Sequence, residues 1–158
     1  MKFGAAALKY LSKFMPDIKD YQVETGGVCV TDSGTIGNTI IVPPHMNGWA
    51  ITNNVIRIIP KADLHVGYVY AYLTSEEGQA ALTQNTYGSV IDHIEPHHVE
   101  KILIPWAPKE VRDNIGERVV QAEQMKAEAQ KLLVEAKSIM QEHLYGRTAR
   151  IPQSDDEA

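Results

Sequence analysis

Short blocks of alternating strand and helix character fill the first 105 residues of the chain. Three runs rich in β-branched residues are bounded by Gly, Pro or Asn and predict strands at Val28–Thr31, Thr39–Pro43 and Asn53–Ile59. Val66–Leu73 and Ser75–Thr83 instead have the spacing of helices.

Weaker signals predict three further elements in the same part of the chain. Ala5–Met15 is a candidate amphipathic helix that Pro16 ends, and Val90–Ile94 and Lys101–Ile104 are candidate short strands around a His-rich turn. We therefore expect an α+β fold, with a small mixed domain and a small sheet, over residues 1–105.

A single long helix is predicted after Pro108. Residues 109–145 contain no proline and one glycine, Gly116. Small and large apolar residues each recur every seven positions, which is typical of a helix-pairing seam. The seam consists of Ile115, Ala122, Met125, Ala129, Leu132, Ala136 and Ile139.

The length of this helix indicates what the seam is for. At about 1.5 Å per residue the helix spans roughly 55 Å, whereas a domain of this size has a radius of gyration of about 13 Å. We expect residues 106–146 to pair with a partner helix and residues 147–158 to form a flexible tail. The alternative is that the helix folds back onto its own domain.

The charge balance argues against a protein that coats nucleic acid non-specifically. The chain has 15 Lys and Arg against 20 Asp and Glu, a formal net charge of −5, and its first 105 residues carry part of that deficit. The single cysteine, Cys29, excludes an internal disulfide and favours a cytoplasmic location. No stretch approaches the ~20 apolar residues of a membrane span, so no membrane is expected.

Two motifs suggest chemistry without completing a site. Asp32-Ser33-Gly34-Thr35 resembles an aspartic protease loop, which a homodimer could pair, but the same residues suit an ordinary turn. His93, Glu95, His97 and His98 are metal-competent, but Pro96 prevents the helical His spacing of a zinc protease. We expect no catalytic residues, no metal site and no directly bound cofactor.

Polar residues in the predicted loops are suited to reading the edges of DNA bases. Asn, Ser and Thr can hydrogen-bond bases, and Tyr can stack, although the same residue types are common in turns. The candidate DNA-binding residues are Ser33, Thr35, Asn38, Asn53, Lys61, Tyr87 and Ser89.

The order of these features resembles the specificity subunit of type I restriction-modification systems. The resemblance rests on the run from Val28 to Gly37, the run from Asn53 to Pro60, Tyr68–Leu73 with Ser75, Tyr87-Gly88-Ser89, Leu103-Ile104-Pro105 and the long helix Val111–Leu144. It covers roughly residues 20–145, with one recognition domain and one helix where full-length members have two of each.

The resemblance implies a non-catalytic subunit that reads half of a split site in double-stranded DNA. The long helices of the family pair antiparallel as a spacer and dock the methyltransferase subunits, which use S-adenosylmethionine, and through them the restriction subunit. A chain with one helix is then expected to form a homodimer. The rival hypotheses are a dimeric assembly or regulatory module without DNA binding and, more distantly, a homodimeric aspartic protease that uses Asp32.

Overall fold

Strand β1 (Val28–Thr31) is the middle strand of an antiparallel sheet whose order is β2-β1-β3. The computed structural model describes residues 12, 14–51, 54–61, 63–84 and 93–146. Thr39–Ile41 forms β2 and Val55–Ile58 forms β3. Because β3 runs antiparallel to β1, Val28 lies beside Ile58 at one end of the sheet and Thr31 beside Val55 at the other.

Helices account for the other described elements. They are α1 (Ile18–Tyr21), a 3-10 turn at Pro44–Met46, α2 (Val66–Leu73), α3 (Glu76–Thr83), α4 (Pro96–Val99) and α5 (Lys109–Gly146). His65 and Ser75 cap α2 and α3 by accepting hydrogen bonds from the amides of Gly67 and Gly78, at 3.1 Å in each case.

Hydrophobic residues cover both faces of β1. Val28 and Val30 belong to a core with Val69 and Leu73 of α2, Leu82 of α3, and residues Ile56 and Ile94. Cys29 belongs to a second core with Val23, Val42 and Met46. A strand that is buried on both faces needs apolar residues at every position, which explains the unbroken Val-Cys-Val run.

The first turns of α5 pack closely against the start of α2. A Cβ atom on Gly67 would overlap the carbonyl oxygen of Gly116, and one on Gly116 would overlap the imidazole ring of His65. Glycine at both positions is therefore required for the two helix backbones to approach each other.

A buried arginine stabilises the same junction. Arg112 is 6% exposed, and its Nη1 donates a hydrogen bond of 3.0 Å to the carbonyl oxygen of Asp63. Its guanidinium carbon lies 3.7 Å from the centroid of the Trp106 ring, a cation–π arrangement. The chain enters α5 after Pro105, whose carbonyl oxygen accepts a 2.8 Å hydrogen bond from the Tyr68 hydroxyl.

The chain divides into two compact units, one reaching Val120 and the other beginning at Gln121. In the second unit α5 continues to Gly146, and every one of its described residues except the half-buried Glu123 is exposed. None of the described helices combines the length and apolar character that a lipid bilayer requires.

The predicted α+β fold with a long helix is confirmed, and most predicted elements appear within one or two residues of their expected ends. The prediction of a strand at Lys101–Ile104 is wrong. Ile102 and Ile104 pack against the core while Leu103 is 88% exposed, so the alternation reflects burial of one side. The segment pairs with no strand among the described residues, and Pro105, which follows it, has no amide hydrogen to donate to one.

Two other predicted elements are only partly described. In the segment Val90–Ile94, residues 90–92 lie outside the described residues, and His93 forms a single antiparallel bridge with Ser33 instead of a strand. Most of the predicted helix Ala5–Met15 also lies outside the described residues.

Replacing Gly116 with alanine should destabilise the first unit. The new methyl group would overlap the His65 ring, and such overpacking costs about 1–3 kcal/mol of unfolding free energy. The matched control is Gly146→Ala, where a Cβ meets nothing within 4 Å, and which should leave stability unchanged. Equal urea midpoints for both variants would contradict the close approach.

Candidate functional site

The loop Asp32–Asn38 at the end of β1 is held closed by the Thr31 hydroxyl. Thr31 is buried, and its Oγ1 donates a hydrogen bond to the carbonyl oxygen of Thr35 and accepts one of 3.1 Å from the amide of Asn38. The amide of Thr31 donates a hydrogen bond to the carbonyl oxygen of Asn38. The amide of Gly37 donates one to the carbonyl oxygen of Thr31. The loop therefore has a defined backbone geometry.

Gln79 of α3 ties this loop to the helical layer. Its Nε2 donates to the carbonyl oxygens of Gly37, at 3.0 Å, and Leu73, at 2.6 Å. Gly37 has φ +84°, a conformation in which a side chain would be strained, and a Cβ there would also crowd the Gln79 amide. The glycine thus permits both the turn and the contact with α3.

Two further segments meet the loop. The amide of Asp32 donates a hydrogen bond to the carbonyl oxygen of Asn54, just before β3. The amide of Ile94 donates one to the carbonyl oxygen of Asp32. Ser33 and His93 form an antiparallel bridge. Polar side chains from three separate stretches of chain consequently gather at this end of the sheet.

The exposed groups at this end are uncharged hydrogen-bonding side chains. Thr35, Asn38 and Asn54 are exposed and Ser33 is half-buried. Amides and hydroxyls of this kind can donate to and accept from base edges. Asp32 is half-buried, and one of its carboxylate oxygens, Oδ1, is enclosed and has no hydrogen-bond partner among the residues that the structure describes.

The structure separates the predicted DNA-binding residues into two places. It brings Ser33, Thr35 and Asn38 together, whereas Lys61 follows β3 at the opposite end of the sheet. The other three predicted residues, Asn53, Tyr87 and Ser89, lie outside the described residues.

Lys61 lines a cavity of about 540 Å³ at its own end of the sheet, together with Lys19 and Arg57. Cys29 forms part of the wall, and its burial raises the pKa of the thiol, an effect that the nearby Arg57 guanidinium partly offsets. The thiol is therefore neutral and unreactive near neutral pH.

The histidine cluster is explained by a helix cap. The Glu95 carboxylate lies 3.0 Å from Nδ1 of His97, and Nδ1 of His98 accepts a 3.0 Å hydrogen bond from the Glu95 amide at the start of α4. Within the described part of the chain, no group of three or more His, Cys, Asp or Glu side chains is arranged to hold a metal ion.

The predicted seam on α5 has a large exposed apolar surface. Met125 is 65% exposed, Leu132 59% and Ile139 68%, while Ile115 is half-buried in the first unit. Leu133 and Met140 continue the same face and are exposed to a similar degree. A protein surface of this kind normally marks a contact with a partner.

Sequence reasoning overlooked several residues that the structure places at these surfaces. Asn54 and His93 join the polar loop only through pairing of distant strands, and Lys19 and Arg57 join Lys61 only through the register of β1 and β3. Leu133 and Met140 were detectable, since each follows a seam residue directly and widens the apolar stripe.

Comparison with known proteins assigns the family. No curated protein matches the chain. The type I restriction modification DNA specificity domain matches residues 3–135, a range that includes the sheet, the polar loop and most of α5. The chain therefore belongs to the family of type I restriction-modification DNA specificity domains.

Proposed function

We propose that this chain is the DNA sequence-specificity subunit of a type I-like restriction-modification system, acting without catalysis of its own. The family match carries the proposal, because one match covers both the recognition-type domain and most of the long helix. Members of this family are generally non-catalytic. The free, buried Cys29 accords with a cytoplasmic site of action.

In this proposal, the loop Asp32–Asn38 and its neighbours read the bases of half a target site. Its hydrogen-bonded backbone supports that role, since a fixed loop presents Ser33, Thr35 and Asn38 at defined positions. Such preorganisation lowers the entropy that must be lost on binding.

The exposed face of α5 is proposed to pair antiparallel with α5 of a second copy. Pairing about a two-fold axis can set each small residue of the seam against a large one. The facing pairs in such a register are Ala122 with Ile139, Met125 with Ala136, and Ala129 with Leu132.

The paired helices are proposed to dock a methyltransferase subunit. S-adenosylmethionine belongs to that subunit, and the restriction subunit joins through it. Leu133 and Met140 support a further contact, because they extend the apolar face beyond the seam that a two-helix pair covers.

DNA binding by the complex with its methyltransferase subunit tests the recognition role. Asn38→Ala should weaken binding to a preferred duplex by about 5- to 150-fold for each bound copy of the chain, the effect of losing one base contact per copy. Because only the backbone of Asn38 holds the loop, the substitution should preserve the fold. Binding to an unrelated duplex is the control and should not change.

Absence of DNA binding by the wild-type complex at low salt would contradict recognition and favour the assembly module. Equal weakening by Asn38→Ala on both duplexes would contradict base reading by this loop.

Ala129→Glu tests the pairing role of α5. The substitution places a carboxylate in the seam, and an unpaired buried charge costs about 3 kcal/mol or more, so the dimer should dissociate. Ala127→Glu is the matched control, since Ala127 lies on the opposite side of the helix and is exposed. Light scattering should report half the mass for Ala129→Glu alone; an unchanged mass would refute the seam.

A further inference from the structure

Three cationic side chains gather at the end of the sheet that faces away from the polar loop. Lys19 of α1, Arg57 of β3 and Lys61 line the cavity of about 540 Å³, and Glu24 is the one carboxylate in its lining. The wall behind them is largely apolar and includes Val28, Val42 and Leu64.

The charges of these three residues are not neutralised by ion pairs. Arg57 donates a 3.2 Å hydrogen bond to the carbonyl oxygen of Gln22, and within the described residues none of the three cations forms a salt bridge with a carboxylate. Three other described cations of the first unit are engaged: Lys109 with Asp113, Arg118 with Asn114, and Arg112 with Asp63 and Trp106. Lys101 also forms no salt bridge within the described residues, but it lies outside the lining of the cavity.

A cleft that is lined mostly by charges of one sign and has apolar walls concentrates the electrostatic potential at its mouth. In a chain with a net charge of −5, three unpaired cations in one place attract anions locally. The ligand that suits it is a phosphate group, which accepts hydrogen bonds from Lys and Arg on several oxygens.

The position of the cavity relative to the polar loop indicates the source of the phosphate. From Val28 to Thr31, β1 rises by about 10 Å at ~3.3 Å per residue, and this length separates the two ends. The major groove of DNA is about 12 Å wide, so a sheet of this length that lies across the groove, with its loop at the bases, has its far end within reach of a bordering phosphate backbone.

We propose that Lys19, Arg57 and Lys61 form a site for phosphates of the DNA backbone, which anchors the domain while the opposite loop reads bases. This inference rests on the proposed DNA-recognition function. The cavity end then supplies affinity for DNA and sets the position of the domain along it, and the loop end discriminates between sequences.

The salt dependence of DNA binding tests the assignment on the complex with the methyltransferase subunit. Each lost phosphate contact lowers the slope of log K against log salt by about 0.9 in magnitude. Lys19→Gln with Lys61→Gln should therefore lower the slope by about 1.8 for each bound copy of the chain, or about 3.6 for the two-fold assembly, on preferred and unrelated duplexes alike. Both lysines are exposed, so the thermal midpoint should not change.

Lys131→Gln with Lys137→Gln removes the same number of charges from α5, outside the cavity, and should leave the slope at the wild-type value. Arg57 is left in place because its removal would also break the hydrogen bond to Gln22.

A wild-type slope in the double variant of Lys19 and Lys61, with DNA still bound, would overturn the phosphate site and leave the proposed function intact. Failure of the wild-type complex to bind DNA at low salt would overturn both. Binding of inorganic pyrophosphate at Lys19 and Lys61, with unchanged DNA slopes, would assign the cavity to a free anion and overturn the DNA assignment.

Discussion

The burial of β1 on both faces is the constraint on which the other features depend. Val28 and Val30 pack against α2 and α3, Cys29 packs on the opposite face, and β2 and β3 hydrogen-bond to the two edges. A strand held in this way cannot shift its register without exposing valine side chains to water. The polar loop at one end of β1 and the cationic cavity at the other are consequently fixed relative to each other.

An acidic protein can act on DNA if its charges are distributed unevenly. Asp32 is the one acidic residue of the polar loop and is half-buried with Oδ1 enclosed, while unpaired cations gather at the cavity. Neutral groups that read bases do not need a strong positive field if another part of the domain provides the attraction to phosphates. The net charge of −5 then limits non-specific binding elsewhere on the surface.

The sequence predicted features set by local patterns better than features set by distant pairing. The apolar run of β1 and the proline-free heptads of α5 have strong periodicity, and both elements were predicted at nearly their observed bounds. Lys101–Ile104 has the alternation of a strand, but alternation reports burial of one side and not backbone pairing. Ser33, Thr35 and Asn38 meet because they share one loop, whereas Lys19, Arg57 and Lys61 meet only through the strand register, which composition and spacing do not reveal.

The central claim is that this chain selects a DNA sequence as one half of a two-fold assembly. The most direct measurement is selection of duplexes from a random pool by the complex with its methyltransferase subunit, followed by sequencing of the bound fraction. The account predicts two short half-sites in inverted orientation, separated by a spacer of fixed length, because two copies related by a two-fold axis present the same loop twice. Enrichment of a single uninterrupted site, or of no sequence at all, would contradict it.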